Sequence, residues 1–193
     1  MMQPYQRKQA GFTIGEMTVV LGVVALVMGG VWVTVNKVQE TAQITQTKEQ
    51  VIAILTKVRG FYQTRACINT GNQTGFLLGV GQPIFPREMV NGGGLTDLWN
   101  GAVQLQGAGA ACDQQFTINF LALPAGICGY LLPQLTGSGE VSRGLRAVTI
   151  NGSNASITRF PINPTDIIGT GATQCGAGAT ANVALTYVLR VSQ

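Results

Sequence analysis

A chain of 193 residues, with twelve Lys and Arg against eight Asp and Glu, carries a formal net charge of +4 and has room for one ordinary domain plus an anchor. It contains no histidine, which excludes His-dependent catalytic triads and His-containing metal sites. Charged residues make up only 10% and are scattered, with no basic run and no Arg–aromatic interleaving, so no nucleic-acid partner is expected.

Residues 1–11 are polar and basic, with Pro4, Arg7 and Lys8, and read as a cytoplasmic leader outside the fold. Their loss would take the charge from +4 to +2. From Met17 to Val35 there are nineteen residues and no formal charge. A helix of roughly 20 apolar residues spans a bilayer, and a helix satisfies its own backbone there. The basic flank lies on the N-terminal side, which places that end in the cytoplasm. No small-residue cleavage site follows Val35; Asn36, Lys37 and Val38 continue into a helical pattern, so the apolar segment reads as retained. Glu16 is the anomaly. A carboxylate at the top of an apolar helix either reaches the headgroups or has a functional partner.

The run Gly11-Phe12-Thr13-Ile14-Gly15-Glu16 resembles the processing site of the type IV pilin superfamily. The resemblance implies that a prepilin peptidase cuts between Gly11 and Phe12 and N-methylates Phe12. Glu16 then becomes the fifth residue of the mature chain. It also implies that the Glu16 carboxylate neutralises the N-terminal amine of a neighbouring subunit in the filament core. Such a pair would favour one axial register, because slippage leaves two buried charges unpaired. Many pilins carry a larger apolar residue where this chain has Gly15.

Gly22, Gly29 and Gly30 lower helicity within the apolar run. They suit close packing of membrane helices or, by the resemblance, local unwinding at Gly29-Gly30. Over Asn36–Tyr62 the pattern becomes amphipathic, with Ile44, Val51, Leu55, Val58 and Tyr62 at helical spacing. No proline interrupts Phe12–Tyr62, so one helix of roughly 75 Å is expected.

After Ala66 Gly, Asn, Thr and Pro rise, and Asn69–Gly81 reads as loop with short ordered pieces. Gly92-Gly93-Gly94 lacks the following Lys-Ser/Thr of a phosphate-binding loop. The segment Gly94–Gly101 resembles the one that enters the sheet of type IVb major pilins of the conjugative thin-pilus (PilS-like) kind, and Trp99 reads as a core anchor. Strands are expected over 102–106, 116–120 and 145–150, the last ending at the turn Asn151-Gly152. The clearest strand is 183–191, which alternates through Val183, Leu185, Tyr187, Leu189 and Val191. The expected class is α+β: a long N-terminal helix packed on an antiparallel sheet, as in the type IV pilin fold.

Cys67, Cys112, Cys128 and Cys175 all follow the membrane segment, and their wide spacing has no zinc-site character. In an oxidising compartment they read as two disulfides, with three connectivities open. The resemblance to type IVb pilins implies Cys128–Cys175, closing a loop of about 48 residues worth about 2–4 kcal/mol, and leaves Cys67 to pair with Cys112.

The division expected is a leader (1–11), a membrane and filament-core half-helix (12–35), an amphipathic half-helix (36–65) and a disulfide-bonded head (66–193). The resemblance implies a structural subunit with no catalytic residues and no cofactor, held in the bacterial inner membrane before assembly and in an extracellular pilus after it. Its implied partners are other copies of itself, the prepilin peptidase, the inner-membrane assembly machinery and minor pilins. Adhesion, aggregation or conjugative mating contact would be the output. A minor pilin or a type II secretion pseudopilin shares the N-terminal logic. An anchored periplasmic enzyme would need carboxylates such as Asp97, Asp113 and Asp166 to converge.

Overall fold

The structure, a computed structural model, describes residues 13–190 apart from 66, 81–82, 110–111, 113, 138, 140–142, 153–155, 170 and 172–173. Helix α1 runs without a break from Ile14 to Tyr62, 49 residues, as the absence of proline allows. The chain divides into two units, Met1–Ala42 and Gln43–Gln193, and the division falls inside α1. In the first unit the helix exposes its apolar side chains: Leu26 is 79% and Trp32 70% exposed. Gly22, Gly29 and Gly30 are helical there, with open space where a Cβ would stand.

In the second unit α1 changes solvent. Val51, Ile54, Leu55 and Val58 are buried on one face, while Thr56, Lys57 and Gly60 are exposed on the other. The buried face shares one apolar core with a sheet of seven strands. These are β1 (Gly71–Asn72), β2 (Val90–Asn91), β3 (Gly94–Thr96), β4 (Ala102–Gly107), β5 (Gln115–Pro124), β6 (Leu145–Ile150) and β7 (Thr180–Val188). The order is β2-β3-β4-β5-β7-β6, all pairs antiparallel, with β1 joined to β4 off that path. An N-terminal helix with an antiparallel sheet makes this the α+β class of the type IV pilin fold.

The inner face of the sheet follows from period two. Phe116, Ile118 and Phe120 on β5 are buried, as are Ala181, Val183, Leu185 and Tyr187 on β7. Strand β7 spans 180–188 rather than 183–191; Leu189 stays buried beyond its end, and Val191 lies outside the described residues. Being paired on both edges, β7 lies inside the sheet, between β5 and the edge strand β6. Strand β5 runs on to Pro124 through a register shift between Phe120 and Leu123. Ala122 takes φ +60° at that bulge and donates its N–H to Asn182 Oδ1 at 2.9 Å. The extra residue returns Leu123 to the core.

Among the described residues three short helices complete the head: α2 (Thr74–Gly79), α3 (Ala125–Gly137) and α4 (Pro164–Ile167). The triglycine lies in a hairpin. Asn91 pairs with Gly94, and the two intervening residues, Gly92 and Gly93, have φ +57° and +86°, as a primed two-residue turn requires.

The next turn, Asp97–Gly101, is held by one carboxylate. Asp97 Oδ1 accepts from Trp99 N at 2.9 Å and Gly101 N at 2.7 Å, and Asp97 N donates to Gly101 O at 2.8 Å. A Cβ on Gly101 would collide with Leu121 O and the Asp97 carboxylate, which accounts for glycine there. Trp99 is half-buried and packs against the core. Asp97 is buried, and its Oδ2 has no hydrogen-bond partner among the described residues. Burial pushes its carboxyl above the usual range, against the two backbone hydrogen bonds that favour the charged form.

A raised carboxyl contributes stability in its protonated state, and that contribution is lost as pH rises through the raised value. Asp97→Asn keeps an acceptor at Oδ1 and cannot ionise. Thermal melts of the detergent-solubilised chain between about pH 4 and 7 should therefore fall more steeply with pH for wild type than for Asp97→Asn. Parallel curves would show that Asp97 is already ionised across that range.

Candidate functional site

The first site is the top of α1. Ile14–Trp32 is long and apolar enough to cross a membrane, and none of it is buried inside the chain's own fold. A core helix of a soluble domain would bury such a surface. Thr18, the hydroxyl within this stretch, donates back to Ile14 O at 2.8 Å, so the helix satisfies it internally.

Glu16 sits in the first turn, and Thr13 caps the helix ahead of it. Thr13 N and Thr13 Oγ1 both approach Glu16 Oε2 at 3.1 Å, and Glu16 N approaches Thr13 Oγ1 at 3.4 Å. This reciprocal pair, Thr at the cap and Glu three residues on, is a capping box that satisfies otherwise orphaned N–H groups. Both Thr13 contacts fall on Oε2, leaving Oε1 outside the box. Thr13 is thus a helix-capping residue that reading Glu16 alone overlooks. Its signal, Thr-x-x-Glu ahead of an apolar run, stands in the sequence. Gly11 and Phe12, the expected processing residues, lie outside the described residues.

The second feature is the crosslinked head. Cys67 is bonded to Cys112, tying the segment after α1 to the β4–β5 connection. Cys128 is bonded to Cys175, tying α3 to the short 3-10 turn at 175–177 that precedes β7. The first pair is partly open to solvent, whereas Cys128 and Cys175 are 0% and 2% exposed. Among the described residues no group of three or more His, Cys, Asp or Glu could hold a metal. Asp97 is committed to its turn, Asp166 is exposed on α4, and Asp113 lies outside the described residues.

Arg59 fastens the second half of α1 to the sheet. Its Nε donates to Val188 O at 3.3 Å and its Nη2 to Arg143 O at 2.8 Å, at the end of β7 and just before β6. Burial lowers its pKa, Tyr187 opposes that, and the neighbouring Arg143 adds to it. Tyr187 is itself fully buried, its hydroxyl has no hydrogen-bond partner among the described residues, and burial pushes its phenol upward.

The features assembled so far are an apolar capped helix, a helix face buried on an antiparallel sheet and two disulfides. A family model described as PilS N terminal matches residues 41–188. The chain belongs to the PilS family. The match begins in the second half of α1 and ends with the last residue of β7, so it covers the head almost end to end. No curated protein matches the chain. PilS proteins are pilins, structural subunits rather than enzymes, and membership implies self-polymerisation into a type IV pilus. An apolar N-terminal helix fits a membrane-anchored precursor of such a pilus.

Removing the buried crosslink of this PilS chain has a calculable cost. The bond closes 47 residues of sequence separation, and constraint of the unfolded chain by such a loop is worth about 2–4 kcal/mol. Cys128→Ser with Cys175→Ser should lower the unfolding free energy of the purified chain by that amount, read from the fall in its denaturant midpoint, and limited proteolysis should then begin between residues 169 and 178.

Proposed function

We propose that this pilin is made as a precursor whose leader, residues 1–11, is removed by a prepilin peptidase. The cut falls between Gly11 and Phe12, and Phe12 is N-methylated. Before assembly the chain crosses the inner membrane once, through residues 12–35, with its N-terminus in the cytoplasm. The assembly machinery then draws it into the filament, where minor pilins accompany it. Residues 36–65 carry the head of residues 66–193, and the assembled pilus mediates adhesion, aggregation or conjugative mating contact.

The observation that carries this reading is the spacing Gly11-Phe12-Thr13-Ile14-Gly15-Glu16 directly before a helix that exposes its whole apolar surface. Such a helix needs lipid or other copies of itself around it. On this reading Glu16 has two tasks. One oxygen serves the capping box, and the carboxylate neutralises the N-terminal amine of a neighbouring subunit. A charge pair inside an apolar filament core is tolerated where a lone charge is not.

Two substitutions separate the tasks. Glu16→Gln retains a capping-box residue and removes the charge, whereas Glu16→Ala removes both. Leader removal should proceed in both, and pili sheared from cells should fall at least tenfold in both. Normal pilus yield from Glu16→Gln would reduce Glu16 to a cap.

Intact mass and N-terminal analysis of sheared material test the processing itself. The expected chain starts at Phe12, heavier by one methyl group and lighter by four hydrogens for the two disulfides. Gly11→Ala should leave the chain starting at Met1, in the membrane fraction.

A further inference from the structure

Within the head, α1 leaves one ridge exposed, and two grooves flank it. The smaller, about 190 Å³, is lined by Ile52, Leu55, Thr56, Arg59 and Arg143. The larger, about 430 Å³, lies between Gln46–Lys57 of α1 and Pro83–Glu88, with Glu49 and Glu88 among its lining. At 100° per residue the two sets of α1 positions lie roughly 130° apart around the helix axis, one on each side of the ridge.

Their charges differ. The smaller groove has two ionisable groups, Arg59 and Arg143, and both are cationic. Arg59 spends one donor on Val188 O and one on Arg143 O, out of the five a guanidinium carries. Among the described residues neither arginine has an ion-pair partner. On the other side Glu49 and Glu88 are exposed and equally without ion pairs among the described residues, though Lys57 and Arg87 stand beside them. Glu49 lies nearest the ridge and is the carboxylate best presented outward.

We propose that the Arg59–Arg143 groove receives the Glu49 carboxylate of a second copy of this chain. The inference rests on the polymerisation reading above and assigns it a contact in the head. A planar guanidinium takes a carboxylate through two parallel hydrogen bonds, and an unpaired, partly desolvated arginine gains most from one. The contact joins opposite flanks of one surface, so it is heterologous: each copy offers a donor groove on one side and an acceptor on the other. Repetition of such a contact gives an open helical filament rather than a closed dimer. Between parallel copies, the ten residues separating positions 49 and 59 set an axial offset of about 15 Å at 1.5 Å per residue.

Charge reversal at the two exposed members tests it. Arg143→Glu and Glu49→Arg are made singly and together in the full-length chain, and sheared filaments are weighed against cellular pilin. Each single variant should lower filament yield at least tenfold, with cellular pilin and both disulfides unchanged. The double variant should recover at least half of the wild-type yield. Wild-type yield from both single variants, which is also the result expected if the groove holds only a free anion such as phosphate, overturns the contact while leaving polymerisation standing. A double variant no better than the weaker single one overturns it as well. A wild-type chain that forms no filaments overturns the polymerisation reading and this contact with it.

Discussion

One buried surface holds the head together. Ile54, Leu55, Val58 and Tyr62 of α1 share an apolar core with Phe116, Ile118 and Tyr187 of the sheet. Each such side chain contributes about 1.5–3 kcal/mol when taken out of water. Because this face belongs to the second half of α1, the sheet stabilises the part of the helix that carries it. Among the described residues the first half has no such partner, and its apolar surface is open. A membrane precursor and a filament both supply what is missing there, by lipid in one case and by neighbouring helices in the other.

The remaining devices act at the margins of that core. Segments with many glycines and few large side chains cannot hold themselves by packing. The Asp97 turn, the bulge at Ala122 and the two disulfides hold them instead. Cys128–Cys175 is placed where the need is greatest, between a core helix and a Gly-rich run that leads into β7. The hydroxyl pair Thr117 and Thr186, 3.1 Å apart, joins β5 to β7 across their half-buried positions.

At the top of α1 the Glu16 side chain has a local part, and the function proposed above gives it an intermolecular one. Thr13 and Glu16 close the first turn on each other, a gain available to the isolated chain. The carboxylate that does so remains ionisable at the head of an apolar stretch. Local geometry accounts for its position without requiring a partner, whereas its charge in a filament core does require one.

Much of this was legible from residues alone. Periodicity showed one helix whose character changes near residue 36, and period two showed the inner positions of β5 and β7. The Gly–Phe–Thr–Glu spacing pointed to the pilin family, and the Thr-x-x-Glu cap stood in the same six residues. Helix α3 was not legible. Gly126, Gly129, Pro133 and Gly137 all argue against a helix over Ala125–Gly137, and its apolar run has no clear period. Packing decides it: Leu131, Leu132 and Leu135 are buried, and Gly129 lets Ile168 pack close, where a Cβ would stand 3.3 Å from its Cγ1. Which cysteines meet, where β5 bulges and which charges face each other across α1 depend on chain segments distant in sequence. Composition and period are local properties. They determine how each segment meets solvent, but only the folded core decides which segments meet each other.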